Sequence, residues 1–352
     1  MLSNKLSVIR RILISKLTHT PYKFNVMVTG ACNSRCVMCR VWEEYLKHPE
    51  SKERELTPDE FRTVFYKAFK TVCWVSLTGG EPFMRKDFVD IVMAAFSNRN
   101  IAIVSSPTNG LLREKIERDV RELMGRDIRD FFLTFSIDGP PDIHDSIRGI
   151  RGAYQRTFGT YSKVRELAKK DKRLDFRLEF TVSSMNVAYA YDYLKDILPD
   201  NKVTITIFHK GFLYKNDDSP DLSTSLYIEQ VRKIVALAKS YLSYTNPMDY
   251  VERLYLDRLP DFAANPQRRI IPCLSALQRS LFMTSQGDLL PCLMWGVKLG
   301  NIRDHDLDMK SVFKGKHKIV DLIGKEQCPN CWTPCESYVS IVERLTSLRL
   351  FQ

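Results

Sequence analysis

Short apolar runs alternate with longer amphipathic stretches from residue 22 onward. Strand-like runs fall at about 23–29, 72–77, 101–106, 131–137, 174–183 and 203–208. They are rich in the branched and aromatic side chains that suit a pleated surface. Patterns with helical period lie between them, at about 86–97, 112–125, 153–170 and 187–197. An earlier one opens with Thr57-Pro58-Asp59-Glu60, a capping box with proline at the first helical position. Strands separated by helices demand a parallel sheet with right-handed crossovers. Ahead of this region, Leu2, Leu6, Ile9, Leu13 and Leu17 recur at steps of three and four, with Lys5, Arg10, Arg11 and Lys16 mostly off the stripe. Residues 1–20 therefore read as an amphipathic basic helix. It is expected to dock against the rest of the chain, with an anionic membrane surface as the alternative.

Six strand–helix repeats, closed or partly closed, make an α/β fold: a partial (β/α)6 relative of the TIM barrel over residues 21–240. Sites in such folds gather at the C-terminal ends of the strands. Each expected strand here runs into a polar or glycine-bearing cluster. The first ends at Ala31-Cys32-Asn33-Ser34-Arg35-Cys36-Val37-Met38-Cys39-Arg40, and the second at Thr78-Gly79-Gly80-Glu81-Pro82. The third and fourth end at Thr108-Asn109-Gly110 and Ser136-Ile137-Asp138-Gly139; the fifth and sixth end at Ser183-Ser184-Met185-Asn186 and His209-Lys210-Gly211. In the fifth strand Arg177, Glu179 and Thr181 alternate with Phe176, Leu178 and Phe180, so one polar face is expected to point into the barrel. His209 reads as structural. Helical pattern returns over about 223–258, a loop is expected over Pro260–Pro272, and a further helix over about 307–324.

Composition narrows the class. The 352 residues are 44% hydrophobic and 27% charged, as in ordinary globular proteins, and no apolar run is long enough to span a bilayer. A cytoplasmic location follows as the expectation, with peripheral membrane contact kept open. Nine cysteines in such a chain read as metal ligands rather than disulfides. The net charge of +11 favours acidic partners without selecting one. Basic residues are dispersed and lack the aromatic interleaving of a single-strand binder, so nucleic acid is not the expected partner.

Three thiols spaced Cys-x3-Cys-x2-Cys on one loop can hold one compact metal centre. Three ligands on a four-cornered site leave a corner free, and on an iron–sulfur cube the open iron is where chemistry occurs. A structural zinc site, which wants four ligands, is the alternative. Cys32, Cys36 and Cys39 in this spacing resemble the signature of the radical S-adenosylmethionine (radical SAM) superfamily. That resemblance implies a [4Fe–4S] cluster with S-adenosylmethionine chelating its open iron, and an external electron donor such as ferredoxin or flavodoxin. It further implies reductive cleavage to a 5′-deoxyadenosyl radical that takes a hydrogen atom from the substrate. Gly79-Gly80-Glu81-Pro82 resembles the motif that receives the cofactor's amino group, and Ser136 and Asp138 the ribose-contacting strand end. Asn109 and Asn186 resemble further cofactor positions, and His144-Asp145-Ser146-Ile147-Arg148-Gly149 resembles a segment found in members with extra clusters. No catalytic residue is assigned.

The last third holds Cys273, Cys292, Cys328, Cys331 and Cys335. The first two frame an expected hairpin with Gly287-Asp288 at its turn. Together the five resemble the SPASM/twitch extension of the same superfamily over residues 241–352, which implies one auxiliary Fe–S cluster, of the [4Fe–4S] type, with one thiol to spare. Zinc is again the alternative. Relatives with this extension act mostly on peptides and proteins, so a peptide or protein is the favoured substrate; a lipid, tetrapyrrole or other anionic small molecule is the alternative. A basic nucleic-acid binder with two zinc sites is the rival of another class. Cys73, inside the second strand, reads as a buried small hydrophobe.

Overall fold

The computed structural model describes residues 2–39, 41–212, 214, 224–314, 316–323 and 328–346, and describes no side chain of residues 2–5 or 316–318. Met1, Arg40, Ser223, Gly315 and Gly324, which fall in expected elements, lie outside the described residues. Seven parallel strands form the sheet: β1 (Lys23–Thr29), β2 (Trp74–Gly79), β3 (Ile103–Thr108), β4 (Asp130–Ile137), β5 (Leu174–Val182), β6 (Val203–Ile207) and β7 (Ser280–Met283). Two short antiparallel strands, β8 (Asp288–Leu290) and β9 (Gly300–Asn301), complete one edge. The order is β6-β5-β4-β3-β2-β1-β7-β8-β9, an open run rather than a closed barrel.

Helices fill the crossovers. After α1 (Leu2–Thr18) come α2 (Val41–Lys47), α3 (Pro58–Tyr66), α4 (Phe88–Ser97), α5 (Arg113–Met124), α6 (Pro141–Arg148), α7 (Ala153–Lys170) and α8 (Val187–Ile197). The expected capping box is present on α3: Thr57 accepts from the Glu60 N–H at 3.3 Å, and the Glu60 carboxylate accepts from the Thr57 N–H at 2.8 Å. Phe24, Val26 and Val28 on β1, Val75 and Leu77 on β2, and Phe131, Leu133 and Phe135 on β4 point outward into the helix layer, all fully buried. Alternation then puts Asn25, Ser76, Ser136 and Glu179 on the inner face. Ser136 and Glu179 are register partners.

The C-terminal third departs from expectation in three places. Helical pattern over 223–258 resolves into α9 (Ser225–Ser240) and α10 (Pro247–Ala264), which is restarted by the Asn246 cap and Pro247. Pro260 lies inside α10 rather than in a loop, because burial of Leu256, Leu259, Phe262 and Ala263 holds the last turn in place. The helix expected over 307–324 is only α11 (Met309–Phe313) followed by a 3-10 segment, Lys316–Leu322.

The last helix, α12 (Pro334–Leu345), was not legible in the sequence, and with α10 it packs inside the curve of the sheet. Tyr255 on α10 donates to Thr206 on β6 at 3.5 Å, and Lys23 on β1 donates to the Cys335 carbonyl at 2.8 Å. Trp332 stacks on Tyr255 with centroids 5.7 Å apart, donates its indole N–H to the Tyr255 carbonyl, and donates its backbone N–H to His209 Nε2 at 2.9 Å. His209 is accordingly structural; it is buried, and burial lowers its pKa to about 4. Cys73 is fully buried as expected.

If the C-terminal segment and the sheet share one core, Trp332→Ala lowers the stability of the whole fold by about 3–5 kcal/mol. That loss appears as a lower denaturant midpoint in one cooperative transition. Tyr66→Ala, at a 78% exposed position, leaves the midpoint unmoved. A separate early transition in the Trp332 variant would contradict the shared core.

Candidate active site

The cysteine loop begins where β1 loses its regular register. Pairing with β2 slips between Met27 and Thr29, and the chain leaves the sheet at Gly30. Three neighbours fix the departure. Gly30 N–H donates to Glu55 at 2.8 Å, and Arg85 joins that carboxylate at 3.3 Å while donating to the Val28 carbonyl. From β2, Gly80 N–H donates to the Thr29 carbonyl at 2.9 Å and Glu81 N–H to the Ala31 carbonyl at 2.8 Å. A Cβ on Gly79 would lie 2.2 Å from the Thr29 oxygen, and one on Gly80 2.2 Å from the Ala31 oxygen. Gly79 also sits at φ +142°, in the region that favours glycine.

Glu81 turns inward rather than toward open space. Its carboxylate accepts from Thr108 Oγ1 at 2.8 Å, Asn109 N–H at 2.7 Å and Phe83 N–H at 3.2 Å. Burial pushes its pKa up to about 7, against the opposing pull of those donors. The carboxylate thus ties the end of β3 to the end of β2. Asn109 extends the tie, donating to Asn33 Oδ1 at 2.8 Å and lying 3.9 Å from Cys32 Sγ.

On the other side of the loop stands the segment after β4. Arg35 N–H donates to the Arg148 carbonyl at 2.9 Å, and Val37 N–H to the Ile147 carbonyl at 3.1 Å. Gly149 has φ +62°, and a Cβ there would lie 2.7 Å from the Arg35 carbonyl oxygen. The Arg148 guanidinium donates to Asp138 Oδ2 at 2.6 Å and to Cys36 Sγ at 3.6 Å. His144 accepts from the Asp138 N–H through Nδ1 at 3.1 Å; burial lowers its pKa to about 3, so it is neutral. Asp145 accepts from the Gly152 and Tyr154 N–H groups at the start of α7. Asp138 is fully buried, with Oδ1 lacking a partner. Asn186 is equally buried, and holds the Asp138 and Thr181 carbonyls at 2.9 and 2.8 Å. Both residues brace strand ends, whereas Ser136 is partly exposed on the inner face.

The donor set around the sulfurs fits thiolate ligands of a cluster. Ser34 N–H points at Cys32 Sγ (3.4 Å), and the Ser34 hydroxyl lies 3.1 Å from Cys36 Sγ while bonding the Arg148 carbonyl. As free thiols, Cys32 and Cys39 are pushed up to about 12 by burial. A metal centre that takes the sulfurs as thiolates removes that cost. Among the described residues no three His, Cys, Asp or Glu side chains are grouped as a single bound ion needs. The hydrogen-bond donors aimed at the sulfurs are the observation that carries the fit.

Residues 26–178 match the profile of the radical SAM superfamily. Over that stretch, which is less than half of the chain, the protein carries a radical SAM domain. Its [4Fe–4S] cluster and S-adenosylmethionine are the cofactors this domain uses. Two relatives align over part of their length. The sporulation killing factor maturation protein SkfB of Bacillus subtilis is 28% identical over 153 residues, which is 42% of this chain and 34% of that protein. The Fe-coproporphyrin III synthase of Methanosarcina barkeri is 26% identical over 211 residues, 60% of this chain and 49% of that one. The chain thus spans about half or less of the curated relatives it matches. Among solved structures, anSMEcpe with bound AdoMet superposes with a TM-score of 0.55 at 19% identity, covering 90% of this chain and 88% of that one. Streptococcus suis SuiB bound to S-adenosylmethionine gives 0.55 at 14%, covering 91% and 70%. These likenesses show the fold.

The five C-terminal thiols divide. Burial raises the pKa of Cys292 and Cys331; among neighbouring charges Glu336 adds most to both, followed by Cys331 and Cys273 for the first and by Cys273 and Cys328 for the second. Arg269 donates to Cys328 Sγ at 3.2 Å. Cys335, pushed up to about 11 by burial, senses Glu336 as Cys292 and Cys331 do, but it also senses Lys23 and Glu179 on the inner side of the sheet and no other thiol of the group. Tyr214 senses both Cys39 and Cys335. We therefore propose Cys273, Cys292, Cys328 and Cys331 as the auxiliary quartet and Cys335 as the spare. Arg148, Ser34, Glu55 and Arg85 carry much of the geometry; Ser34 and Arg148 lie inside stretches singled out in the sequence but without an assigned role, and Glu55 and Arg85 carried no such signal.

Two outcomes follow. Cys335→Ala keeps about 8 iron per chain after anaerobic reconstitution, whereas Cys331→Ala falls toward about 4, for two four-iron centres; equal loss in both contradicts the division. Arg148→Gln removes a cation from beside Cys36 and lowers the midpoint potential of the loop's centre. The expected drop is roughly 60 mV, a tenfold change for a one-electron couple. A redox titration followed by electron paramagnetic resonance (EPR) reads it, and an unmoved potential removes Arg148 from that role.

Proposed function

We propose that this protein is a radical SAM enzyme that abstracts hydrogen from a peptide or protein, aided by one auxiliary Fe–S centre. The single observation that carries the reading is the Cys32, Cys36 and Cys39 loop, clamped between the ends of β2, β3 and β4, with N–H donors of Ser34 and Arg148 on the sulfurs of Cys32 and Cys36. When bound and reduced, the cluster supplies the electron that cleaves S-adenosylmethionine to methionine and a 5′-deoxyadenosyl radical. The chain's own residues position and enclose. Gly79 and Gly80 admit the backbone approach, Ser136 presents a hydroxyl on the inner face, and α10 and α12 close the lower interior against water.

A peptide substrate is supported by the relatives. SkfB is named for maturation of a killing factor, and structures close in fold include SuiB bound to precursor peptide SuiA and anSMEcpe with the Cp18Cys peptide. The synthase of Fe-coproporphyrin III keeps a tetrapyrrole as the second reading. We further propose a flavodoxin or ferredoxin as electron donor, and a division at about residues 20 and 240 into the N-terminal helix, the radical SAM core and the auxiliary segment. The second boundary coincides with the end of α9, although β7 pairs with β1 in the common sheet.

Anaerobically reconstituted, reduced protein given S-adenosylmethionine is expected to release 5′-deoxyadenosine, at a rate raised by a cognate precursor peptide. The Cys32/Cys36/Cys39→Ala variant releases none. Equal release from both proteins would sink the proposal.

A further inference from the structure

The leucine stripe of α1 is not its docking face. The helix sits on the sheet through Val8 and Ile12, which pack against Tyr22, Cys73 and Val339, and through Ser15, which is fully buried. Arg11 pins it by donating to Asn100 Oδ1 at 2.5 Å and to the Lys70 carbonyl. Leu6, Ile9, Leu13 and Leu17 are left outward, at 61, 54, 46 and 82% exposure. At 100° per residue these four span one narrow arc. No other described helix exposes more than one Leu or Ile to that degree.

The surroundings of the stripe are basic. Arg10 is exposed beside it, Lys70 and Arg99 are exposed next to the groups that hold Arg11, and the chain has no acidic residue before Glu43. Leu6, Ser7, Arg10, Arg11 and Ile14 line an open depression on the same helix. The exposed Arg10 guanidinium next to aliphatic side chains suits a phosphate joined to an acyl chain, Arg11 being engaged by Asn100 and Lys70. A second copy of the chain fits less well: four side chains cover a few hundred Å², against roughly 1,200 Å² for a stable interface, and the Arg10 side chains would be brought together.

We propose that α1 seats this protein on an anionic lipid surface, with the stripe in the interfacial layer and phosphate groups at Arg10 and its neighbours. The placement of α1 sets the orientation. Tyr22, Cys73 and Asn100, which it contacts, precede β1, β2 and β3, whereas the cysteine loop follows β1. The mouth of the sheet therefore lies about 20 Å away, at the opposite end of the strands, and faces the aqueous side. This clause rests on the site proposed above, and it favours a substrate that arrives from water over a carbon buried in the bilayer. The lipid contact does not rest on that site.

Co-sedimentation of the reconstituted protein, with no turnover required, tests the contact. The vesicles are phosphatidylcholine alone or with about 30% phosphatidylglycerol. The wild type is expected to pellet with the anionic vesicles only, and less so at high salt. Ile9→Ser/Leu13→Ser and Arg10→Glu should each shift partitioning toward the supernatant by about tenfold or more, with circular dichroism unchanged. Wild type that stays in the supernatant, or a double variant that pellets as wild type does, overturns the proposal. So does a wild-type dimer that the double variant converts to monomer, since the stripe would then belong to a second copy.

Discussion

The cysteine loop has no regular structure of its own, so its shape is borrowed from the backbone on either side. Gly79 and Gly80 press against Thr29 and Ala31 from one flank, and Gly149 presses against Arg35 from the other. At all three positions a Cβ would stand within about 3 Å of a carbonyl oxygen, which is inside contact distance. These close approaches turn a mobile string of thiols into a preformed cradle. They also explain why the strand ends are polar. Each must present N–H, hydroxyl or carboxylate groups to a loop that lacks a ladder partner.

The charges follow from the same geometry. Asp138 is fully buried, and Arg148 answers it while reaching Cys36. A buried pair of this kind adds little net stability but fixes geometry, because losing either partner strands the other in a low dielectric. One residue thus couples the end of β4 to a sulfur. On the inner face below, Lys23 donates to the Cys335 carbonyl on α12, and Arg177 pairs with Glu252 of α10 at 3.6 Å. The C-terminal segment therefore forms part of the interior of the sheet. Tyr214, which senses both Cys39 and Cys335, packs against the apolar cluster that holds Cys292.

Much of this was legible in the sequence. The period of two and the glycine-bearing strand ends placed six strands within two residues, because burial on the helix-covered face enforces a strong pattern. The cysteine spacing and Gly79-Gly80 were visible because only a few residue types fit there. What escaped notice depended on distant contacts. The pairing of β7 with β1 joins residues about 250 positions apart and leaves no local mark. The docking face of α1 went unread because Val8, Ile12 and Ser15 are less apolar as a set than the stripe that faces outward. Nor could the sequence show how the expected cofactor positions are held: Asn186 spends its amide on the Asp138 and Thr181 carbonyls, while Asp138 pairs with Arg148 and leaves Oδ1 without a partner.

The most direct measurement is the EPR spectrum of the reduced protein with and without S-adenosylmethionine, taken on a variant lacking Cys273, Cys292, Cys328 and Cys331. Only the loop's centre would then contribute. A signal that shifts on adding the cofactor is expected, since an iron without a protein ligand is open to it. A well-formed four-iron signal that S-adenosylmethionine leaves unchanged would contradict the assignment of Cys32, Cys36 and Cys39 to the cofactor site.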